Sequence, residues 1–354
     1  MEASTRDTPV SPRGRGAASN RESRFERLTL EHEEPLPGKI ATTYLRDDSR
    51  SVIARNQSPD IPFDASLNPY RGCEHGCIYC YARPTHEYLG FSAGLDFESR
   101  ILVKEDAPEL LRRELAAPGW KPQVLALSGV TDPYQPVERE LELTRRCLEV
   151  LAGARNPVVV VTKSALVARD ADLLGELARH DAALVLLSIA HLDGDLARRL
   201  EPRASHPRER LKAMRKLADA GVPVGILMAP VIPALTEPQI PALARAAAEA
   251  GARWARYTVL RLPGAVAGLF EDWLEEHFPD RKEKVLARIR ELRGGRLNDP
   301  RFGHRFRAQG VFGEQISALF HASCRREGLQ TEGHTNLSTR AFLRPGGHQM
   351  SLFS

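Results

Sequence analysis

The chain has 354 residues, of which 42 % are hydrophobic and 27 % charged, with a net charge of +4. This is the balance of a folded globular protein, with room for one large α/β domain plus appendages or two ordinary domains. No run of 18 or more apolar residues occurs, which excludes a membrane-spanning helix. The first thirty positions hold six Arg and four acidic residues and no apolar signal core, as expected of a cytoplasmic protein.

Residues 1–40, rich in Arg, Ser, Glu, Gly and Pro, read as a disordered N-terminal arm. The regular pattern of residues 41–280 predicts a core. A strand over 65–70 is followed by a cysteine-rich loop and a helix over 107–117, opened by Pro108. Strand 123–128 and helix 137–151 follow, then strand 157–162, whose four consecutive valines fit a strand covered on both faces. Helix 168–178, strand 183–189 and helix 207–220, closed by Gly221, come next. Strand 222–228, an alanine-rich helix over 237–250, strand 256–260 and a helix over 268–277 complete the core. Six alternating strand–helix units imply a parallel sheet, either doubly wound or curled into a barrel. In both cases function gathers at the C-terminal ends of the strands. The segments there carry Ser128, Gly129, Thr131 and Asp132, then Thr162, Lys163 and Ser164, then Ser188. Residues 281–343 read as a basic C-terminal extension and residues 344–354 as a flexible tail.

Five cysteines are present, and Cys73, Cys77 and Cys80 fall within eight residues with the spacing C-x3-C-x2-C. An odd number of thiols on a chain with no secretion signal argues for metal binding over a disulfide framework. Three thiolates on one loop can hold three corners of a cubane cluster and leave the fourth iron open. Gly72 and Gly76 allow the backbone to wrap closely. The competing reading is a structural zinc site completed by His75 or His86. No second cysteine pair supports it, since Cys147 lies in a predicted helix and Cys324 near the other terminus.

The cysteine spacing, with Tyr79 before the last cysteine, resembles the signature of the radical S-adenosylmethionine (SAM) superfamily. Tyr79-Cys80-Tyr81, residues 128–132, residues 162–164 and the Ser188 strand resemble its spore photoproduct lyase-like branch. The resemblance implies a partial (β/α)6 TIM-type barrel, a [4Fe–4S] cluster on Cys73, Cys77 and Cys80, and SAM as co-substrate. It also implies a 5′-deoxyadenosyl radical that removes a hydrogen atom from the substrate, and a separate electron donor. Tyr79 would lie against the adenine. Thr131 and Asp132, beside Ser128 and Gly129, would meet the methionine ammonium. Lys163 would face its carboxylate and Ser188 the ribose. One departure is that the branch carries a hydrogen-returning cysteine near the end of the second strand, where this chain offers Gly129. Cys147 or Cys324 could replace it only if folding brought either to the barrel mouth.

Two features point to DNA as substrate, in lesion repair or modification. Residues 281–307 hold ten Lys or Arg against three acids, interleaved with Phe302, His304 and Phe306. The terminal Gln349-Met350-Ser351-Leu352-Phe353 resembles the pentapeptide with which bacterial repair proteins bind the sliding clamp, Gln349, Leu352 and Phe353 being the anchors. The alternatives are the same radical chemistry on RNA, a protein or a small metabolite, and a non-catalytic, zinc-stabilised nucleic-acid-binding protein.

Overall fold

The computed structural model describes residues 11–25, 40–332 and 337–346. In chain order its strands are β1 (Thr43–Arg46), β2 (Ile53–Arg55), β3 (Ala65–Leu67), β4 (Tyr70–Arg71) and β5 (Arg100–Val103). They continue with β6 (Leu125–Leu127), β7 (Val158–Thr162), β8 (Ala183–Ser188), β9 (Val224–Val231) and β10 (Trp254–Val259). The main sheet has the order β10-β9-β8-β7-β6-β3-β2. From β3 to β10 every pairing is parallel, while β2 closes one edge antiparallel to β3. Each successive strand adds to the same edge. That is barrel winding, since a doubly wound sheet reverses its order at a switch point. The two edges, β2 and β10, do not pair, so the barrel is partial.

The local sequence explains the strands. On β7, Val158 and Val160 are fully buried while Val159 and Val161 are half-buried, so β-branched side chains pack on both faces. The helices turn apolar stripes to this layer. Helix Pro207–Asp219 buries Arg210, Ala213, Met214 and Leu217, the spacing of one helical face.

Two departures from the sequence reading have local causes. The expected strand 65–70 is divided, because Pro69 has no N–H to give the ladder. Tyr70–Arg71 instead leaves the main sheet and pairs antiparallel with β5 in a small sheet of order β1-β5-β4. The expected helix 137–151 is two helices, Glu138–Leu141 and Leu143–Ala154, separated at Glu142 with φ +49°. Helices Gly194–Leu200 and Gly310–Arg326 were not expected. The basic run begins as helix Pro279–Leu292. No helix among the described residues is long and apolar enough to cross a membrane.

The expectation of a disordered arm does not hold over residues 11–25, which pack against the cysteine loop. The cause is a buried charge. Glu98, fully buried, accepts the backbone N–H of Gly16 and of Ala17, each at 2.9 Å. Its partner is the equally buried Arg83, at 2.9 Å. Arg83 spends its other donors on the carbonyls of Gly76 (3.1 Å), Cys77 (3.0 Å), Ala93 (3.2 Å) and Gly94 (2.8 Å). The remaining residues of the expected arm, 1–10 and 26–39, lie outside the described residues.

The expected tail beginning at 344 is also corrected. Arg344 donates to the carbonyls of Leu115 (3.4 Å), Ala116 (3.3 Å) and Ala117 at the end of helix Ala107–Ala116, and of Trp120 (3.2 Å). The last carbonyls of a helix lack intrahelical partners and attract a cation, which fixes this residue in place. The clamp-like residues Gln349, Leu352 and Phe353 lie outside the described residues.

Replacing Glu98 by Ala leaves Arg83 buried without its counter-charge, at a cost of about 3–5 kcal/mol. Thermal unfolding of Glu98→Ala is expected well below wild type. Glu105→Ala, which removes one end of an exposed pair with Arg46, is expected to unfold near wild type. Equal midpoints for wild type and Glu98→Ala would show that the pair is not what holds the segment.

Candidate active site

The cysteine loop leaves β4 through Gly72 (φ +81°) and turns again at Gly76 (φ +64°). Both positions require glycine. A Cβ at Gly72 would stand 2.9 Å from the Phe97 carbonyl oxygen, and one at Gly76 would collide with the Glu98 carboxylate. The N–H of Gly76 donates to the Cys73 carbonyl (3.3 Å) and that of Cys80 to the Cys77 carbonyl (3.1 Å), so the loop curls on itself. Cys73 and Cys77 are buried and Cys80 is half-buried.

The loop is tied down from three other sides. The buried Glu74 carboxylate accepts from Thr42 (2.9 Å) and from the Val137 N–H (3.0 Å) and pairs with Arg203 (3.0 Å). The N–H of Ile78 reaches the Leu200 carbonyl (3.1 Å) and that of Arg203 the His75 carbonyl (3.2 Å). A small loop thus holds its shape through contacts spread over much of the chain.

The strand exits converge on this loop in two groups. In the first, the Asp132 carboxylate accepts from Thr162 Oγ1 (2.7 Å) and from the Lys163 N–H (2.7 Å), and pairs with His75 Nδ1 at 3.3 Å. Burial opposes charge on His75, yet Asp132 and Cys73 beside it raise its pKa to about 10. Thr131 Oγ1 donates to the Gly72 carbonyl (2.7 Å) and Ser128 Oγ to the Thr131 carbonyl (3.2 Å). Gly129, with φ +128°, accepts from the Tyr81 hydroxyl (2.6 Å). Thr131 and Asp132 thus brace the cysteine loop and the β7 exit.

The second group joins Tyr79, Lys163 and Ser188 through Glu201, which the sequence analysis did not single out. Its carboxylate accepts from the Tyr79 hydroxyl and from Arg210, and Lys163 Nζ lies 3.5 Å away. Lys163 Nζ also donates to Ser188 Oγ (2.6 Å) and to the Ala229 carbonyl (3.0 Å), and stands 5.6 Å from the Tyr79 ring centroid. Burial works against a charge on Glu201, but Arg210 and Lys163 hold its pKa below the usual carboxylate range. Glu201 and Arg210 are only 3 % and 1 % exposed. Nothing in Glu201-Pro202-Arg203 marked a site, because the helix that delivers it, Gly194–Leu200, is short and without a long apolar stripe.

His75 Nδ1 is committed to Asp132, and His86 Nε2 lies 3.0 Å from the Arg100 carbonyl, with its pKa pushed down to about 4 by burial. What the loop offers is three thiols in a glycine-lined cradle, a soft donor set suited to an iron–sulfur cluster with one open iron. Burial pushes the Cys77 and Cys80 thiols up. The other two cysteines are fully buried in the main core and do not reach the mouth: Cys147 in helix Leu143–Ala154 and Cys324 in helix Gly310–Arg326.

The C-terminal extension crosses the same end of the barrel. Arg293 is buried and donates to the carbonyls of Val259 (2.7 Å), Leu260 (3.1 Å), Arg305 (2.8 Å) and Arg307 (3.0 Å), clasping the loop to the exit of β10. It is therefore removed from the set of groups able to meet phosphates. Arg301 pairs with Asp299 (2.7 Å), Arg305 with Asp60 (2.7 Å), Arg288 with Glu291 (2.6 Å) and Lys282 with Glu275 (2.9 Å). Part of the apparent excess of positive charge is thus neutralised locally.

The sequence profile of the radical SAM superfamily matches residues 67–247. The uncharacterized protein Rv2578c of Mycobacterium tuberculosis is 36 % identical over 244 residues, covering 68 % of this chain and 71 % of that protein. The uncharacterized protein MJ0683 of Methanocaldococcus jannaschii is 30 % identical over 171 residues, 48 % of this chain and 61 % of that protein. Among solved structures, spore photoproduct lyase complexed with dinucleoside spore photoproduct superposes with a TM-score of 0.56 at 16 % identity, covering 81 % of this chain and 80 % of that one. A mutant of that lyase holding AdoMet as well as the dinucleoside superposes with a TM-score of 0.54, with the same identity and coverage. At this identity the likeness concerns the fold, and the profile and the mycobacterial relative carry the assignment. The chain belongs to the radical SAM superfamily and is an enzyme whose cofactors are a [4Fe–4S] cluster and SAM.

Proposed function

We propose that this protein is a cytoplasmic radical SAM enzyme acting on DNA, in lesion repair or modification. The observation that carries this reading is the position of the basic extension. Arg293 fixes its loop across the C-terminal end of β10, and Arg261 spans from Tyr81, the residue after Cys80, to Phe306 in that loop. Cationic and aromatic groups thus meet at the edge of the cysteine loop, where a polyanionic substrate carrying bases would have to lie. A similar fold in complex with a dinucleoside fits the same substrate class. Spore photoproduct itself is not the proposed lesion, because no thiol stands at the exit of β6 and both Cys147 and Cys324 are buried in the core.

When bound, the cluster and SAM supply a 5′-deoxyadenosyl radical that takes a hydrogen atom from the substrate. Cys73, Cys77 and Cys80 would hold the cluster. Lys163 offers positive charge to the SAM carboxylate, and Glu201 with Arg210 keeps Lys163 and Tyr79 in place. Ser188 presents a hydroxyl at the same spot for the ribose. Asp132 and Thr131 set the cysteine loop against the exits of β6 and β7, with Ser128 and Gly129 shaping the turn. The burial of these groups excludes water and other hydrogen donors from the reacting atoms.

Reduction of cluster-loaded protein with SAM is expected to form 5′-deoxyadenosine, faster with DNA present than without. Cys73→Ala, Cys77→Ala and Cys80→Ala should each lose the brown absorption and the product, while Cys147→Ala and Cys324→Ala keep both. Stimulation by RNA, a protein or a metabolite but not by DNA would overturn the substrate.

Lys163→Ala should keep the cluster absorption but bind SAM more weakly, by about 1–3 kcal/mol for a lost charged hydrogen bond. Equal affinities by calorimetry on cluster-loaded proteins would remove Lys163 from the carboxylate role.

The C-terminal Gln349, Leu352 and Phe353 are proposed to tether the enzyme to the bacterial sliding clamp, two apolar anchors and one polar group being enough for a short peptide. Titration of the full chain against purified clamp should show saturable binding that Leu352→Ala with Phe353→Ala abolishes. Unchanged binding by the double variant would refute the tether.

A further inference from the structure

Outside the cofactor site, the longest alternation of guanidinium groups and aromatic rings among the described residues runs through five side chains. Arg261 lies 5.0 Å from the Tyr81 ring centroid and 4.9 Å from that of Phe306. Arg305 lies 5.1 Å from the same Phe306 ring and 4.8 Å from that of Phe302. The order is therefore Tyr81, Arg261, Phe306, Arg305, Phe302. Its inner end adjoins Cys80, where Tyr81 is fixed by its hydrogen bond to the Gly129 carbonyl at the exit of β6. All three rings are open to solvent: Phe302 is 60 %, Tyr81 50 % and Phe306 37 % accessible.

Two facts argue that this is a ligand surface and not merely packing. Large aromatic rings left so exposed in a row gain little from folding, and the two end rings, Tyr81 and Phe302, each meet a single guanidinium of the row. The row is also held rigid from behind. Arg305 pairs with Asp60 (2.7 Å), Asp60 accepts the Gly303 N–H (2.7 Å), and Arg293 binds the carbonyls of Arg305 and Arg307. These bonds order the side chains before any ligand arrives, which lowers the entropy lost on binding.

We infer that this row is a stacking track for single-stranded DNA, whose unpaired bases lie on Phe302, Phe306 and Tyr81 and lead the strand to the cysteine loop. The inference rests on the DNA reading above and specifies the form of that DNA. Every base has a π-face, so the track tolerates any sequence, while Arg261, which pairs with no carboxylate among the described residues, is the guanidinium of the row left to meet the backbone. In a paired duplex the base faces are occupied by stacking on their neighbours, and exposed rings in a row find no partner there.

The test is fluorescence anisotropy of labelled oligonucleotides with the full-length, cluster-loaded protein, using an oligothymidylate and a duplex of equal length. The single strand is expected to bind at least tenfold more tightly. Phe302→Ala and Phe306→Ala should each weaken it about tenfold, whereas Phe302→Trp should restore it. Thermal unfolding and cluster absorption should be unchanged in Phe302→Ala, since that ring is exposed. Equal binding of duplex and single strand, or unchanged affinity in Phe302→Ala, overturns the track and leaves the DNA reading standing. No binding of either oligonucleotide overturns both. Tighter binding of the matching single-stranded RNA, lost in Phe302→Ala, supports the track and overturns DNA as its occupant.

Discussion

The Arg83–Glu98 pair underlies the shape of the cysteine loop. Two charges with no exposed surface are tolerable only if their remaining hydrogen-bonding capacity is filled, because desolvation otherwise exceeds their mutual attraction. The structure fills it with backbone. Arg83 takes the carbonyls of Gly76 and Cys77 between the cluster thiols, and Glu98 takes the N–H groups of Gly16 and Ala17. The N-terminal segment is thereby drawn over the loop and seals it from one side. Gly16 and Gly76 come so close that a Cβ on Gly16 would overlap the Gly76 carbonyl.

The same device recurs around the site. Glu74 is paired with Arg203, and Glu201 with Arg210, so each buried carboxylate near the thiols has its own guanidinium. Each pair also fixes a different part of the loop: Glu74 is itself a loop residue, Glu201 holds the Tyr79 hydroxyl, and Glu98 holds Arg83. Local neutrality suits a site that must accept an anionic cluster and a cationic sulfonium. A second consequence is mechanical. Residues from 16 to 210 meet around one loop, so its geometry is set by much of the chain and not by eight residues.

Arginines farther along the chain serve as clasps. Arg293 joins two carbonyls at the end of β10 to two in the C-terminal loop, and Arg344 gathers those at the end of helix Ala107–Ala116. Both sit at element ends, where backbone acceptors have no ladder or helical partner. Such residues count as charge in a sequence but as backbone ligands in the folded molecule. The surface available to a polyanion is correspondingly smaller and more localised, concentrated on the loop that also carries Phe302 and Phe306.

The sequence by itself determined the parallel α/β architecture and supplied the three cysteines proposed to hold the cluster. Valine-rich strands alternating with amphipathic helices leave few other solutions, and three thiols at C-x3-C-x2-C are set by local spacing alone. It also placed Lys163 and Ser188 at strand exits, because those follow directly from where each strand ends. Only the tertiary structure decided that the winding is a barrel, since strand order is a long-range property. It likewise revealed Glu98, Glu201, Arg83 and Arg210, whose partners lie far away in sequence: Glu201 is 122 residues from Tyr79 and Glu98 is 82 from Gly16. A buried charge carries no periodic signal, and its role exists only once folding has removed the water and brought the opposite charge beside it.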